Sequence, residues 1–207
     1  MNTDGSVGIA AGILVIGSLL IAATASSILM DEPTNLSADD LGKKTDEIID
    51  EICSYLQIKD MVGKYYSIND QQKIQKIAIL VSPLVSQNID LSTLKIKLNN
   101  GNEIRILSYS GEAEFIKEHS LFEHVLWDMM DSNEFSFIIT HDKDGSILSY
   151  DTLNSQTDMT YLIIKLPEEF SMKKGDVLEI TLFPSTGYTR TITIEAPLPI
   201  KSVVSFD

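Results

Sequence analysis

The residue types that most often perform catalysis are few in this chain, and their spacing matches none of the common catalytic sets. The histidines are His119, His124 and His141, and no pair has the H-x-x-x-H or H-E-x-x-H spacing of a metal-binding helix. The G-x-S-x-G nucleophile motif and the G-x-x-x-x-G-K-[ST] phosphate loop are both missing from the sequence. Cys53 is the single cysteine, so an intrachain disulfide is impossible and it predicts no metal site. These features argue against an enzyme and predict no cofactor.

One acidic segment, Asp142-Lys-Asp144-Gly145-Ser146, begins like a calcium-binding loop. The complete EF-hand pattern needs a third acidic or Asn residue before the glycine and a Glu at its end, and the sequence has neither. We therefore predict a polar turn between two strands, with Asp142 and Asp144 as the alternative candidates for metal ligands. Separately, Asn35-Leu36-Ser37 matches the N-x-[ST] acceptor pattern, which makes Asn35 a candidate glycosylation site.

The charge of the chain excludes one class of partner. Its 207 residues include 30 acidic and 16 basic side chains, for a formal net charge of -14. Nucleic acid repels such a surface, because its phosphate backbone attracts Lys and Arg and repels carboxylates. We therefore predict no nucleic acid partner and an acidic, solvated surface.

The N-terminal segment from Ser6 to Met30 contains no charged residue. As a helix its 24 residues from Val7 would extend roughly 36 Å, enough to cross a hydrocarbon core of about 30 Å. A cleaved signal peptide would need a basic flank and a shorter apolar stretch, neither of which is present. A plain membrane anchor has no need of small residues, yet these recur along the segment and predict close helix packing. The candidate packing positions are Gly8, Gly12, Gly17, Ala22 and Ser26.

A second helical segment is predicted beyond a break at Pro33, with Ser37 as its N-cap. Apolar or neutral positions recur at a spacing of four and three, the spacing of a heptad seam: Leu41, Thr45, Ile48, Ile52 and Tyr55. Two heptads are compatible with a coiled coil and equally with an amphipathic helix that packs on its own domain. In either case we predict a helical stalk over residues 6–60.

The sequence from residue 61 to 207 has the two-residue period of β-strands. In one run, Leu94, Ile96 and Leu98 alternate with lysines, and the turn Asn99-Asn100-Gly101-Asn102 follows. A second turn is predicted at Ser185-Thr-Gly-Tyr188. The candidate strands are Ile74–Val81, Ser92–Leu98, Glu103–Tyr109, Glu134–Thr140, Met159–Leu166, Asp176–Phe183, Arg190–Ile194 and Ser202–Phe206.

The predicted fold class is α+β: a long N-terminal hydrophobic α-helix followed by an antiparallel, immunoglobulin-like β-sandwich as the head domain. The segment from Gly111 to Met130 does not share the two-residue period. Its apolar residues are compatible with either a loop or a short helix that covers the sandwich, and the sequence leaves both open.

The chain as a whole resembles an archaellin, the archaeal flagellin of type IV pilin-like filaments. Asp4-Gly5-Ser6 is similar to a short prepilin leader, and Gly8 stands at the third position after the Gly5–Ser6 junction, as is typical of archaellins. The uncharged helix and the polar segment after it also follow the family layout. In the head, the order of the segments carries the resemblance: Lys76-Ile-Ala-Ile-Leu-Val, Phe137-Ile-Ile-Thr-His-Asp-Lys-Asp-Gly-Ser, Phe183-Pro-Ser-Thr-Gly and Ala196-Pro197.

The resemblance implies a structural subunit of the archaellum, a surface filament for swimming, and not an enzyme. It implies removal of residues 1–5 by a prepilin-type peptidase between Gly5 and Ser6. The partners implied are further copies of the chain or a closely related subunit, the archaellum assembly machinery, and the cell membrane before assembly. Two alternatives stay open: a membrane-anchored stator or adaptor protein of the same machine, and an adhesive type IV pilin.

Overall fold

The computed structural model describes residues 56–68, 71–116, 121–185 and 189–206. Within these ranges the chain forms eleven strands, joined by short loops and single helical turns. The strands are β1 (Leu56–Ile68), β2 (Gln71–Pro83), β3 (Ile89–Asp90), β4 (Lys95–Asn99), β5 (Ile104–Phe115), β6 (Glu134–His141), β7 (Thr152–Leu153), β8 (Met159–Lys165), β9 (Val177–Phe183), β10 (Arg190–Glu195) and β11 (Val203–Ser205). The helices are α1 (Leu126–Met129) and α2 (Ser146–Tyr150), with 3-10 turns at Leu121–Glu123 and Glu168–Phe170.

The eight candidate strands are confirmed, seven of them within three residues at each end. The strand predicted to end at Tyr109 continues to Phe115, so residues 111–115, expected in a loop or short helix, belong to β5. In β4 the side chains of Ile96 and Leu98 are buried while Lys95 is exposed, as the alternation predicts. The turn after β4 is also confirmed, because Gly101 has a φ of 86°, a conformation that favours glycine. The turn predicted at 185–188 lies mostly outside the described residues.

Strand β1 was not predicted, and it corrects the boundary of the helical stalk. The strand begins at Leu56, so the boundary placed at residue 60 is wrong and residues 56–60 belong to the sheet. Leu56 and Met61 are both buried although they are five positions apart, which would place them on opposite faces of a regular strand; a bulge between Ile58 and Asp60 shifts the alternation. The bulge hides the two-residue period that would have identified the strand.

Nine of the strands form one sheet in the order β10-β9-β4-β5-β6-β8-β2-β1-β11, and β3 pairs with β7. The prediction of a β-rich head is confirmed, but its strands do not form an antiparallel sandwich of two sheets. All neighbours are antiparallel except β5 and β6, which are parallel. Parallel neighbours need a long crossover connection, and the segment between Phe115 and Glu134 supplies it. Most of the segment whose structure the sequence left open, Gly111 to Met130, lies in this connection.

The sheet must curl, because the chain joins its two edges by a short link. In a flat sheet with strands about 4.8 Å apart, β10 and β11 would lie about 38 Å from each other. The connection from Glu195 to Val203 can reach only about 29 Å when fully extended. Hydrogen bonds fix this link to the far edge: the Tyr65 hydroxyl donates to the Pro197 carbonyl at 2.5 Å, and the Tyr65 amide donates to Ser202 at 2.8 Å.

The curl gives the sheet an inner and an outer face, each with its own core. The inner face carries the larger cluster, which includes Ile77 on β2, Phe137 on β6 and Ile180 on β9. On the outer face, the connection between β5 and β6 covers a smaller cluster around Ala78 and Ile163. We call residues 121–130 of this connection the cap. The cap packs against the sheet and contains helix α1, so of the two structures that the sequence left open, a loop or a short helical cover, it supports the helical cover.

In the part of the chain that the structure describes, no helix is long and apolar enough to cross a bilayer. The predicted apolar helix and stalk lie before residue 56, outside the described residues.

Candidate functional site

Most of the sequence-predicted site residues lie outside the described ranges. This holds for the proposed cleavage junction, the small residues of the apolar helix, the glycosylation candidate, the lone cysteine and one histidine: Gly5, Ser6, Gly8, Gly12, Gly17, Ala22, Ser26, Asn35, Cys53 and His119.

The acidic segment after β6 forms a tight loop that begins helix α2. The carboxylate of Asp142 accepts hydrogen bonds from the amides of Ser146 at 3.1 Å and Ile147 at 3.0 Å, which are free N–H groups at the start of the helix. Asp144 accepts from the Ser146 amide at 3.1 Å and from the Asn154 side chain at 2.6 Å. The loop therefore has the hydrogen bonds of a polar turn.

A third carboxylate, that of Asp158, joins this loop from a distant point in the sequence. One oxygen of each of Asp142, Asp144 and Asp158 lies within 4.8 Å of the others. Asp158 is buried and accepts from the amides of Asn154 and Ser155, each at 2.9 Å. Oxygen clusters of this kind suit hard cations such as Ca²⁺. Here backbone and side-chain donors bind all three carboxylates, so the observed contacts need no metal to explain them.

The hydrogen bonds also set the charge of the loop. The pKa of Asp144 is lowered to about 2, first by the hydrogen bond from the Asn154 side chain and next by the amide of Ser146. The carboxylate is therefore ionised at all but strongly acidic pH. No sequence pattern pointed to Asp158, since it reaches the segment through the antiparallel pairing of β6 with β8, which places His141 opposite Met159.

The two histidines that the structure describes are placed differently. His124 is buried in the cap, where its Nε2 lies 3.2 Å from the Phe115 carbonyl and 3.8 Å from a Glu114 carboxylate oxygen. His141 is exposed at the end of β6. Neither belongs to a metal-binding cluster within the described ranges.

The cap places two aromatic rings on the outer face. Phe122 and Trp127 stack with their ring centroids 5.7 Å apart, and the Trp127 indole N–H donates to the Leu121 carbonyl at 2.8 Å. Lys64 lies beside the Phe122 ring and Lys76 beside the Trp127 ring, and Lys165 of the next strand is opposite Lys76. The sequence did not reveal this group, because only strand register brings residues so far apart in the chain together.

Comparison with known proteins identifies the architecture. Residues 5–194 match the family model of the archaeal-type flagellins. Flagellin B3 of Methanocaldococcus jannaschii is 29% identical over 147 residues, an alignment that spans 69% of this chain and 66% of that protein. Flagellin B3 of Methanococcus voltae is 26% identical across 95% of this chain and 92% of its own length.

Two solved structures share the fold. The crystal structure of archaeal flagellin FlaB1 from Methanocaldococcus jannaschii superimposes with a TM-score of 0.62 at 22% identity, over 73% of this chain and 95% of that one. The archaeal flagellum of Methanospirillum hungatei gives 0.53 at 14% identity, over 96% of this chain and 98% of that one. Because the family match runs from residue 5 to β10, the chain belongs to the archaeal-type flagellin family and is a structural subunit of the archaeal surface filament.

Proposed function

We propose that this flagellin polymerises through the segment between Ser6 and the start of β1, which forms the filament core, while the curled sheet forms the outer wall. The observation that carries the proposal is the family match, because it includes the uncharged segment as well as the sheet. The segment contributes twelve large apolar side chains between Val7 and Met30. Removing them from water is worth roughly 20–35 kcal/mol, more than the roughly 4–15 kcal/mol that association costs.

The hydrophobic free energy of the apolar segment is not enough to drive assembly from the membrane. Before assembly the apolar segment is inserted in the cell membrane, where it is already shielded from water. Transfer from lipid into a helical bundle gains little hydrophobic energy, since acyl chains are as apolar as leucine. Assembly therefore depends on close packing at Gly8, Gly12, Gly17, Ala22 and Ser26, on contacts between heads, and on separate machinery that extracts the subunit. Each head-to-tail contact repeats without closing, which produces a helical fibre.

Processing precedes assembly in this proposal. A prepilin-type peptidase cuts between Gly5 and Ser6, and the mature chain begins with Ser6. A glycan on Asn35 would be added outside the cell. The filament function requires no metal, so Asp142 and Asp144 serve to order their loop.

The test combines electron microscopy of sheared surface filaments with intact-mass analysis of their subunits. A host that lacks its own flagellin genes and expresses this chain should produce filaments whose main component begins at Ser6. A Gly5→Val variant should accumulate as the uncut precursor in the membrane. A chain found only as a minor membrane component, with no filaments, would instead indicate a stator or adaptor protein and overturn the proposal.

A further inference from the structure

Three lysines lie directly opposite one another on the outer face of the sheet. Lys64 on β1 pairs in register with Lys76 on β2, and Lys76 pairs with Lys165 on β8. We call these three residues the lysine row. Like charges directly opposite in a sheet are destabilising. The fold therefore holds together three charges that repel one another.

Aromatic rings of the cap and of β1 lie beside the lysine row. The Lys76 ammonium lies 5.0 Å from the ring centroid of Trp127 and 5.5 Å from that of Tyr66. The Lys64 ammonium lies 5.5 Å from the Tyr66 ring and 6.0 Å from that of Phe122. Lys76 also donates a hydrogen bond to the Phe122 carbonyl at 3.3 Å. Ring faces attract cations, so these contacts orient Lys64 and Lys76 before any partner arrives.

The lysines of the row form no ion pair with a carboxylate of the described residues. Among the residues that the structure describes, no carboxylate oxygen lies within 4.0 Å of any of the three ammonium groups, whereas Lys97 pairs with Glu179 at 3.4 Å. Burial lowers the pKa of Lys76, the charges of Lys64 and Lys165 lower it further, and the nearby charge of Asp128 opposes the shift. Burial first, and then the charges of Asp128 and Glu123, raise the pKa of Tyr66, whose ring lies beside Lys64 and Lys76. Two carboxylates therefore lie near the row without forming an ion pair with it.

We propose that the lysine row is a contact between subunits that receives an acidic surface of a second copy of this chain, an inference that rests on the filament function proposed above. The argument is charge complementarity. Each subunit has a formal net charge of -14, so neighbouring copies repel unless basic groups lie where they touch. In a helical polymer the contact is heterologous, and the same row meets the same acidic surface at every step.

The first test compares two double variants with the same change in charge. Lys64→Gln/Lys165→Gln removes two members of the row and leaves Lys76, which packs against Trp127. Lys173→Gln/Lys174→Gln is the matched control, because both residues are exposed in the turn before β9. We expect the row variant to release at least tenfold more subunit from sheared filaments at low ionic strength, while the control matches wild type. Thermal unfolding of the full-length chain in detergent should be close to that of wild type in the row variant, since the relieved repulsion offsets the loss of the contacts between Lys64 and the Tyr66 and Phe122 rings.

The second test identifies the occupant. Carbodiimide treatment of native filaments joins amines to carboxylates in direct contact, and denaturing gels separate cross-linked dimers from monomers. We expect peptides that contain Lys64, Lys76 or Lys165 to be joined to acidic peptides of the same chain in the dimer band and not in the monomer band. Cross-links confined to monomers, or links only to another anionic component, would overturn the inference.

The two proposals fail in different ways. A wild-type chain that forms no filament defeats the proposed function, whatever the lysines do. Wild-type filaments that match those of the row variant in stability and salt dependence leave the function intact and defeat the lysine contact.

Discussion

The ring of Phe206 occupies the space that a side chain at position 63 would fill. A Cβ built on Gly63 would lie 2.8 Å from Cζ and 2.9 Å from Cε2 of Phe206, and 3.1 Å from Cγ2 of Ile74. Phe206 is anchored by its amide, which donates to the Met61 carbonyl at 2.9 Å. The glycine in β1 thus lets the last strand close the inner core.

The first prediction is a coupling between Gly63 and Phe206. Gly63→Ala should destabilise the wild-type chain by about 1–3 kcal/mol, because the ring must shift in a packed core. In a Phe206→Ala background the same substitution should cost clearly less, since only the contact with Ile74 remains and alanine loses less backbone entropy than glycine in a strand. Urea unfolding of the wild type, the two single variants and the double variant, all full-length, gives the coupling free energy between positions 63 and 206. Equal effects of Gly63→Ala in both backgrounds would contradict the proposed contact.

The second prediction concerns the cap. Trp127 is fully buried, and Trp127→Ala should lower the free energy of unfolding by about 3–5 kcal/mol. Trp127→Phe keeps most of the volume and leaves the Leu121 carbonyl without its donor, so it should cost less, about 1–3 kcal/mol. Because Trp127 is the single tryptophan of the chain, its fluorescence reports the cap directly. Emission at a solvent-exposed wavelength in the folded protein would show that the cap does not pack.

The sequence predicted the parts of the fold that depend on local alternation. Leu94 to Leu98 identified β4 because one face of that strand is buried and the other is in water. In β1 the bulge at Ile58 breaks the same signal, and the heptad spacing that predicted the stalk ends at Tyr55, directly before the strand. The single sheet and the parallel pair could not be predicted, because strand order depends on which distant strands meet. The pairing register of distant strands likewise brings Asp158 close to Asp144 and places the three lysines side by side.

The third prediction is a pH dependence centred on Asp144. Its pKa is lowered to about 2 in the folded chain, below the ordinary value near 3.8. A lowered pKa means that the charged form stabilises the fold above the unfolded pKa, and this stabilisation is lost as pH falls toward 2. Asp144→Asn should therefore have a lower melting temperature than wild type at neutral pH, and the difference should shrink between about pH 4 and pH 2. A difference that is constant across this range would contradict the role of the charge.

The fourth prediction separates backbone conformation from hydrogen bonding at Asp151. This residue ends helix α2 with a φ of 50°, and its carboxylate accepts from the Tyr109 hydroxyl at 2.6 Å. Asp151→Asn keeps an acceptor and tolerates positive φ, so it should be nearly neutral. Asp151→Gly tolerates the positive φ but removes the acceptor of the Tyr109 hydroxyl. Asp151→Ala removes the acceptor and also disfavours the positive φ, so it should be the least stable. Thermal unfolding gives the order, and an alanine variant as stable as the asparagine variant would contradict it.

A substitution of Tyr109, the donor of the hydrogen bond to Asp151, tests the same contact. Burial first, and then the hydrogen bond to Asp151, raise the pKa of Tyr109 above its usual value of 10. A raised pKa means that the neutral hydroxyl stabilises the fold below about pH 10, and that this stabilisation is lost as pH rises further. Tyr109→Phe should remove this alkaline loss. If the folding stability of the variant declines above pH 10 as much as that of wild type, the decline comes from the titration of other groups.

The last prediction addresses the apolar segment that the filament proposal depends on. Small residues allow helix backbones to approach closely, so Gly12→Leu should weaken filament assembly strongly, whereas Gly12→Ala should be tolerated. Both variants keep the segment apolar, and membrane insertion should therefore be unaffected. The measurement is the ratio of filament to membrane-bound subunit, with Trp127 fluorescence as the check that the head is folded. If Gly12→Leu gives normal filaments, close packing at this glycine is not what holds the core together, and assembly must depend mainly on contacts between heads.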